Sequence, residues 1–460
     1  MIRDNYMLDM ARGAWLGLSG LRARRRRFKA FTYGRQWGDT CRLPDGRIVS
    51  EEQRISEEGR IPVTNNIIRQ TVKSIIGRYR YMCTPSGSES DAETPGRIDT
   101  GLTTGSVSEE DARALEEFLI SGCAVQRLER GRVENISPER VFFHEFRDTE
   151  CKDLRMVGIL HDMSPADAVR RFSKGSSRKA REVKLACARA GQGAAAGSRF
   201  GRQASFNEPE LPDTWRVIEI WRLTPREILK VHDPFKGGCY REHPDALERL
   251  EGLNRARREC DSALLEWRHE VEESWEVTWL TPKGDVLLQG EAETCPIVMK
   301  LYPLIDGEVH SLVEDVIDQQ KYVNRLISML DHIISSSAKG VLLYPADQLP
   351  DGFTWKDLRR IWSNPMGILP YKRTSKTVVP QQVHSNGATG SGATEMLKMQ
   401  LQLFDEISGA TGALRGKPSA ATGEGMLRAE LENSTISMLD VLAAFRQFVI
   451  RRDELLKITD

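Results

Sequence analysis

The sequence predicts an α+β protein, with helices and strands segregated along the chain instead of alternating. Three observations carry this. His310 to Pro345, HSLVEDVIDQQKYVNRLISMLDHIISSSAKGVLLYP, is a long amphipathic helix that runs into a short strand. Strand-type patterns concentrate between residues 214 and 300. Helical periodicity dominates before and after that region.

The long helix is the clearest element. Val313, Val316, Ile317, Val323, Leu326, Ile327, Leu330, Ile333 and Ile334 recur at helical spacing. Asp318, Gln319, Asn324, Arg325 and Asp331 make the opposite, polar face. A helix of about 25 residues is roughly 37 Å long. That length suits a pillar in an assembly better than a wall of a small pocket. Val341–Tyr344 is the strand after it.

The other elements follow in order. Residues 1–83 read as mainly helical; one helix opens at Pro62–Asn65, with Thr64 or Asn65 as N-cap, and carries Ile68, Val72, Ile75, Ile76 and Tyr79 on one face. Residues 84–110 are rich in Ser, Gly, Thr and Asp and read as a flexible loop. Residues 111–173 are mixed. A helix lies near Glu109–Leu119, strand and turn cover Gly131–Arg147, and Arg155–His161 is a strand. Ser164 then caps a short helix with Pro165 in its first position. Residues 174–212 are basic and Gly/Ala-rich, which predicts some helix and then a mobile linker.

Residues 213–300 change character. Thr214–Leu223 is a β-type run, and Ser274–Gly290 is a hairpin turning at Pro282-Lys283-Gly284. Between them Pro244–Glu270 reads as a charged helix. Residues 301–345 hold the long helix and its strand. Within 346–460, Thr354–Ile361 is a short helix, Gly367–Val383 is extended and Ser385–Gly392 is a Gly-rich loop. Helices near Thr394–Ser408 and Glu424–Leu456 close the chain.

Composition bounds the function. The 460 residues are 40% hydrophobic and 29% charged, an ordinary folding composition. Lys+Arg and Asp+Glu both number 66, so the formal net charge is zero. A tight duplex binder usually carries a basic excess, so that class is disfavoured. The eight cysteines form no CxxC pair and no zinc spacing, and read as reduced thiols of a cytosolic protein. The N-terminal stretch lacks the pattern of a signal peptide. No apolar run approaches the ~18 residues that would span a bilayer, so no membrane association is expected.

Searches for chemistry return little. GATGALRGKPS, Gly409–Ser419, imitates a phosphate loop, but Thr411 stands where a glycine is needed and Pro418 where the Mg²⁺-binding hydroxyl belongs. An interhelical loop is the better reading. The eight histidines show no HExxH and no ligand spacing, and no GxSxG occurs. No catalytic residue, metal site or cofactor is expected. The run Arg24, Arg25, Arg26 and Arg27 reads either as a solvated helix face or as a nucleic-acid contact, with the solvated face favoured. Lys372, Arg373 and Lys376, beside a Gly-rich loop, are a second candidate for phosphate contact. Five tryptophans, 215, 221, 267, 275 and 279, crowd the β region as core or as interface anchors.

In this order, the segments resemble the portal proteins of tailed bacteriophages, most closely the type found in short-tailed phages. Phe31–Trp37 (FTYGRQW) and Ile61–Arg80 (IPVTNNIIRQTVKSIIGRYR) look like the family's N-terminal wing. Trp215–Leu223 and Trp275–Gly290 look like strands of its clip. Leu304–Pro345 looks like its stem-proximal helix and strand, and Glu395–Gly416 (EMLKMQLQLFDEISGATGALRG) like the helix and glycine turn beyond. The resemblance implies long stem or channel helices, a helical and mixed wing and a small β-rich clip. It implies a ring of about twelve subunits at one capsid vertex, through which double-stranded DNA passes during packaging and ejection. It implies docking first of the large terminase subunit and then of head-completion, adaptor or tail proteins, with the major capsid protein around the ring. Localisation would be the virion, after assembly in the host bacterial cytoplasm. On this reading Val316, Val323, Leu326 and Leu330 pack the stem helix, and Trp275 and Trp279 serve docking at the clip. Related portals continue past the equivalent of Asp460 into further wing and a helical crown or barrel. The 190–203 stretch matches no segment of the family. An enzymatic or motor subunit of the packaging apparatus is the runner-up and would need an ATP or metal site. A shell or scaffold protein is the third reading, separable from a portal by subunit stoichiometry.

Overall fold

A computed structural model describes residues 3–83, 108–191, 204–211, 213–235, 237–337, 341–363, 368–372, 379–383, 388–410 and 436–459. The expected loop at 84–107, the Gly/Ala-rich 192–203, Arg373, Lys376, most of the phosphate-loop imitation and the 424–435 part of the last helix lie outside the described residues.

Four helices open the chain: α1 (Asn5–Gly17), α2 (Ser19–Thr32), α3 (Glu51–Glu57) and α4 (Ile67–Cys83). A small hairpin, β1 (Thr40–Arg42) and β2 (Ile48–Ser50), precedes α3. α5 (Glu109–Ser121) leads into β3 (Cys123–Glu129), β4 (Arg132–Asn135), β5 (Val141–His144) and β6 (Met156–Met163). α6 (Pro165–Ser173) and α7 (Ser177–Gly191) precede β7 (Trp215–Asp233) and β8 (Gly238–Glu242). After α8 (Leu247–Glu259) come β9 (Glu266–Leu280), β10 (Val286–Ala292), β11 (Ile297–Leu301), β12 (Leu304–Ile305) and β13 (Glu308–Val309). α9 (Leu312–Ser337), β14 (Val341–Leu343), α10 (Trp355–Ser363), β15 (Gln381–Val383), α11 (Ala388–Ser408) and α12 (Leu439–Thr459) follow. The described ladders are antiparallel, as the α+β class requires.

The chain divides into two units. The first comprises Met1–Lys29, Val72–Glu314 and Gly423–Asp460. Its centre is a sheet of order β10-β9-β7-β6-β5, with β8 added to the far end of β7. In the first half of β7 both faces are covered, so Arg216 to Trp221 are all buried. The α6–α7 pair lays Ala168, Phe172, Val183 and Cys187 against Val217 and Trp279. Another cluster gathers Met7, Trp15, Phe142, Ile218, Ile220 and Met299. Ala204 and Phe206 are buried in that cluster, so core packing continues through part of the stretch read as a linker. Gly158 faces Phe142 across β5–β6; a Cβ there would come within 2.1 Å of the phenyl ring. The small sheet β11-β3-β4 is entered from α5 through Gly122, at φ 69°, where a Cβ would sit 1.8 Å from the His310 carbonyl oxygen. α12 closes on this unit through Phe445, which meets Tyr79 at 5.5 Å and Phe118 at 5.7 Å between ring centroids.

β7 runs 19 residues, well past Leu223, and pairs with β9 as far as His232↔Glu266. Glu266–Glu270 is therefore strand, and the helix expected over Pro244–Glu270 is shorter. The reason is tertiary: cross-strand pairing outweighs the helical charge pattern. The end of this ribbon has its own small core of Leu229, Val231, Leu250 and Leu265 under α8.

The second unit comprises Ala30–Thr71 and Asp315–Thr422. Here α9 has the apolar stripe the sequence predicts: Val316, Ile317, Val323 and Leu326 are buried, while Leu330 is half-buried. Asn324 departs from the predicted polar face; it is 1% exposed. Gln320, Asn324 and Ser328, four residues apart, form a buried polar stripe. They grip an extended segment residue by alternate residue. The Val63 N–H donates to Ser328 Oγ at 2.9 Å, Asn65 N–H to Asn324 Oδ1 at 3.0 Å and Ile67 N–H to Gln320 Oε1 at 3.0 Å. Four helical residues rise about 6.0 Å and two extended residues about 6.6 Å, so the two repeats run in step. Because the N–H groups of Val63, Asn65 and Ile67 are held by α9, α4 starts later than Pro62–Asn65 suggests. Asn66 Oδ1 accepts the Arg69 N–H at 3.1 Å at its start, and Thr64 Oγ1 instead accepts the Trp37 indole N–H at 3.0 Å. α11 begins at Ala388, so the 388–392 part of the expected Gly-rich loop is helical.

Candidate assembly and nucleic-acid surfaces

The arginine run lies on α2, and the structure turns much of it inward. Arg25 is buried and holds Glu117 through two hydrogen bonds of 2.6 and 2.7 Å, with Glu139 at 3.1 Å. Burial opposes its charge, but the two carboxylates outweigh that and raise its pKa. Arg25 is thus a structural ion pair, which corrects its assignment to nucleic-acid contact. Arg24 reaches Glu308 at 3.4 Å and Glu314 at 3.9 Å. Arg26 is half-buried, and Arg27 is exposed. The neighbouring Arg22 is buried with its guanidinium 3.6 Å from the Trp15 ring centre. Desolvation, and then repulsion from Arg26, push its pKa down to about 10. A solvated helix face is therefore also the wrong description for most of this run. A helix bearing many arginines and few acids leaves no sequence signal that acids distant in the chain will meet them.

Lys372 is exposed; its Nζ sits 2.9 and 3.1 Å from the Asp351 carboxylate oxygens, and its backbone N–H donates to the Gln348 carbonyl at 2.9 Å. Arg373 and Lys376 are outside the described residues.

The two candidate docking tryptophans part company. Trp275 is half-buried at the edge of the large core. Trp279 is 3% exposed. Its ring centre lies 5.1 Å from His161 and 5.4 Å from Phe172, with the Arg171 guanidinium 4.6 Å above it. It has no surface to offer a partner, which corrects its assignment to docking. The signal was ambiguous, because a strand tryptophan looks alike in a core and in an interface.

Beside Trp279 lies a buried polar cluster. Glu219 is fully buried and accepts from Arg127 Nε at 3.0 Å, Arg127 Nη2 at 3.1 Å and the Trp221 indole N–H at 2.9 Å; His161 Nε2 is 2.7 Å away. Burial would raise its pKa, but the His161 hydrogen bond and Arg127 win and hold it at about 2. A His–carboxylate pair suggests a catalytic base. Here the carboxylate is saturated by structural donors. The Cys295 thiol, coupled to the same group, is pushed up to about 12 by burial, the reverse of what a nucleophile needs. Among the described residues no cluster of His, Cys, Asp and Glu could hold a metal ion, and no helix is long and apolar enough to cross a membrane. Two residues of the phosphate-loop imitation, Gly409 and Ala410, are described; both follow α11 outside any regular element.

The ribbon of β7, β8 and β9 offers a surface that the sequence analysis did not resolve. Opposite the α8 side, Arg241, Lys230 and Arg268 stand in one cross-strand row. Like charges side by side repel. Glu270 in the next row, 3.5 Å from Lys230, and Glu272 in the row after it, 3.1 Å from Arg241, offset this. Phe235 and Val271 are exposed at the same end of the ribbon.

Comparison with known proteins adds the following. The model of the phage P22-like portal protein family matches residues 125–451. No curated protein matches the chain significantly. The matched span takes in both small and large sheets, the ribbon, α9, α10, α11 and most of α12.

Proposed function

Because the chain belongs to the phage P22-like portal protein family, and is a portal protein of the short-tailed-phage type, we propose that it assembles into a closed ring of about twelve copies at one capsid vertex. In this reading the ring is a head-to-tail connector that conducts double-stranded DNA during genome packaging and ejection. The major capsid protein surrounds it; the large terminase subunit docks first, and head-completion or tail proteins replace it. The observation that carries the proposal is the family match across residues 125–451.

Features of the chain support the reading. Balanced charge suits a conduit, because counterion-release binding of many phosphates would stall translocation. The ribbon end, with its own core under α8, suits a docking element. Phe235 and Val271 are the contact residues proposed there, with Trp275 at the base of the ribbon. The buried face of α9, Val316, Val323 and Leu326, serves to hold the helix within its unit. Lys372, together with Arg373 and Lys376, is the proposed contact with passing phosphates.

Native mass spectrometry and negative-stain imaging of the purified chain test the proposal. A ring of about a dozen subunits with a central hole is the expected result. A compact dimer that responds to nucleotide would overturn it.

A further inference from the structure

α11 carries a wider apolar arc than its unit covers. Ala393 and Phe404 are buried, with Leu397 and Leu401 half-buried beside them. Next to this stripe, Met396, Met399, Leu403 and Ile407 follow at steps of three, four and four residues, which places them on one adjoining line. Met396, Met399 and Ile407 are 41%, 48% and 44% exposed. Glu395 and Glu406 border the exposed line on the side away from the buried one, and neither makes an ion pair among the described residues.

α10, in the same unit, shows the opposite sign. Leu358 is buried, while Trp355 at the edge of the apolar side is 51% exposed. Arg359 and Lys356 lie next around the helix, both exposed and both without an ion pair among the described residues. One unit thus displays an acid-rimmed Met/Ile line and a base-rimmed tryptophan, and neither charge set is paired among the described residues. Exposed apolar lines with a polar rim mark interaction sites. Pairing acidic rim with acidic rim would repel. Contact between the α11 line of one copy and the α10 end of another satisfies both surfaces, and in a ring such a contact repeats from copy to copy.

We propose that the Met396–Ile407 line of α11 in one subunit seats on the Trp355 end of α10 in the next copy, with Glu395 and Glu406 facing Lys356 and Arg359. This rests on the ring reading above and names the surface that builds the ring. Methionine's pliable side chain fits the role of moulding around an indole.

Charge exchange in the full chain tests it. E395K/E406K makes both surfaces basic; K356E/R359E makes both acidic. Each variant alone is expected to need about tenfold higher concentration to assemble, or more, by sedimentation velocity. A one-to-one mixture should recover wild-type assembly, because each basic surface then meets an acidic one. All four positions lie on the surface, and circular dichroism with amide exchange checks that each variant is folded. Unchanged assembly of either variant alone, or failure of the mixture to recover it, overturns this interface while leaving the ring reading intact. A wild-type chain that stays monomeric at every concentration overturns both.

Discussion

Replacing Asn324 with alanine isolates the polar stripe of α9. Asn324 Oδ1 accepts the Asn65 N–H and the Gln320 side-chain N–H, each at 3.0 Å, and its Nδ2 donates to Gln36 Oε1 at 2.5 Å. The substitution removes one acceptor and one donor. The Gln36 oxygen is then left buried without a partner, and the part-buried Asn65 N–H loses its acceptor. Each orphan costs about 1–3 kcal/mol. Together they should cost up to about 6 kcal/mol, less where water reaches the exposed Asn65. A chain of two units does not unfold in one step, so a global midpoint is a poor readout. Amide hydrogen exchange reports locally. The Val63, Asn65 and Ile67 amides should be protected in the wild type. In N324A the Asn65 amide should exchange roughly 5- to 150-fold faster, the equivalent of about 1–3 kcal/mol of lost protection. Asp318, exposed on the same helix, serves as control, and D318A should leave the pattern within ±0.5 kcal/mol or so. Equal Asn65 protection in N324A and wild type would refute the role given to the stripe.

Three more perturbations follow from the same packing. Glu219 has a folded pKa of about 2, below its ordinary 4.5, so its stabilising contribution is full above pH ~4.5 and is lost as pH falls toward 2. The shift corresponds to about 3 kcal/mol; E219Q should flatten that part of the acid-unfolding profile, and an unaltered profile would count against the cluster. W279A should cost about 3–5 kcal/mol and reduce soluble protein, whereas W275A should leave yield near wild type; equal yields would return Trp279 to the surface. V323D places a charge at a fully buried position and should abolish folding, while L330D at a half-buried one should be milder, as judged by circular dichroism and yield.

Much of this fold is legible in the sequence because local chemistry decided it. Ser164 caps α6 with Pro165 in the first turn, its Oγ accepting the Asp167 N–H at 3.2 Å. The hairpin turning at Pro282–Gly284 joins β9 to β10 where expected. The stripe of α9 follows from spacing alone. What escaped depends on partners far along the chain. Glu117 and Glu139 turn Arg25 from a solvated cation into a core ion pair, and neither is near it in sequence. The β7–β9 register makes strand of Glu266–Glu270 although its charges suit a helix. Asn324 read as solvent-facing because a polar residue on a helix usually is. Its burial could be inferred only by noticing that Gln320, Asn324 and Ser328 repeat at the same step as the apolar residues beside them. The second line on α11 was legible as spacing but not as exposure, since periodicity cannot say how much of an apolar arc a chain covers for itself.

The choice of polar side chains on α9 bears on register more than on stability. An apolar stripe at 320, 324 and 328 would bury as much surface and leave nothing to fix the sliding of residues 62–68 along the helix. Three acceptors four residues apart match only alternate N–H groups of an extended strand. A slip by one residue turns the N–H groups of 63 and 65 away from their acceptors and brings up residues whose N–H groups in an extended segment point to the other side. The bonds to Ser328 and Asn324 then fail, while Gln320 Oε1, which also accepts the Ile68 N–H at 3.3 Å, keeps a donor; each buried group left unpaired costs about 1–3 kcal/mol. Gln320 sharpens the discrimination. Its Nε2 donates to the Asn65 carbonyl at 2.6 Å while its Oε1 accepts from Ile67, so its amide reads both a donor and an acceptor. Lys321 and Arg325, one residue on from the stripe, meet Glu51 at 2.8 Å each and tie α3 to the same helix. Segment 62–68 and α3 are thus indexed to one helix by directional bonds, which hydrophobic contact cannot supply. If the subunits close into the proposed ring, an offset of one residue would be copied around it, and the buried stripe confines the chain to one setting.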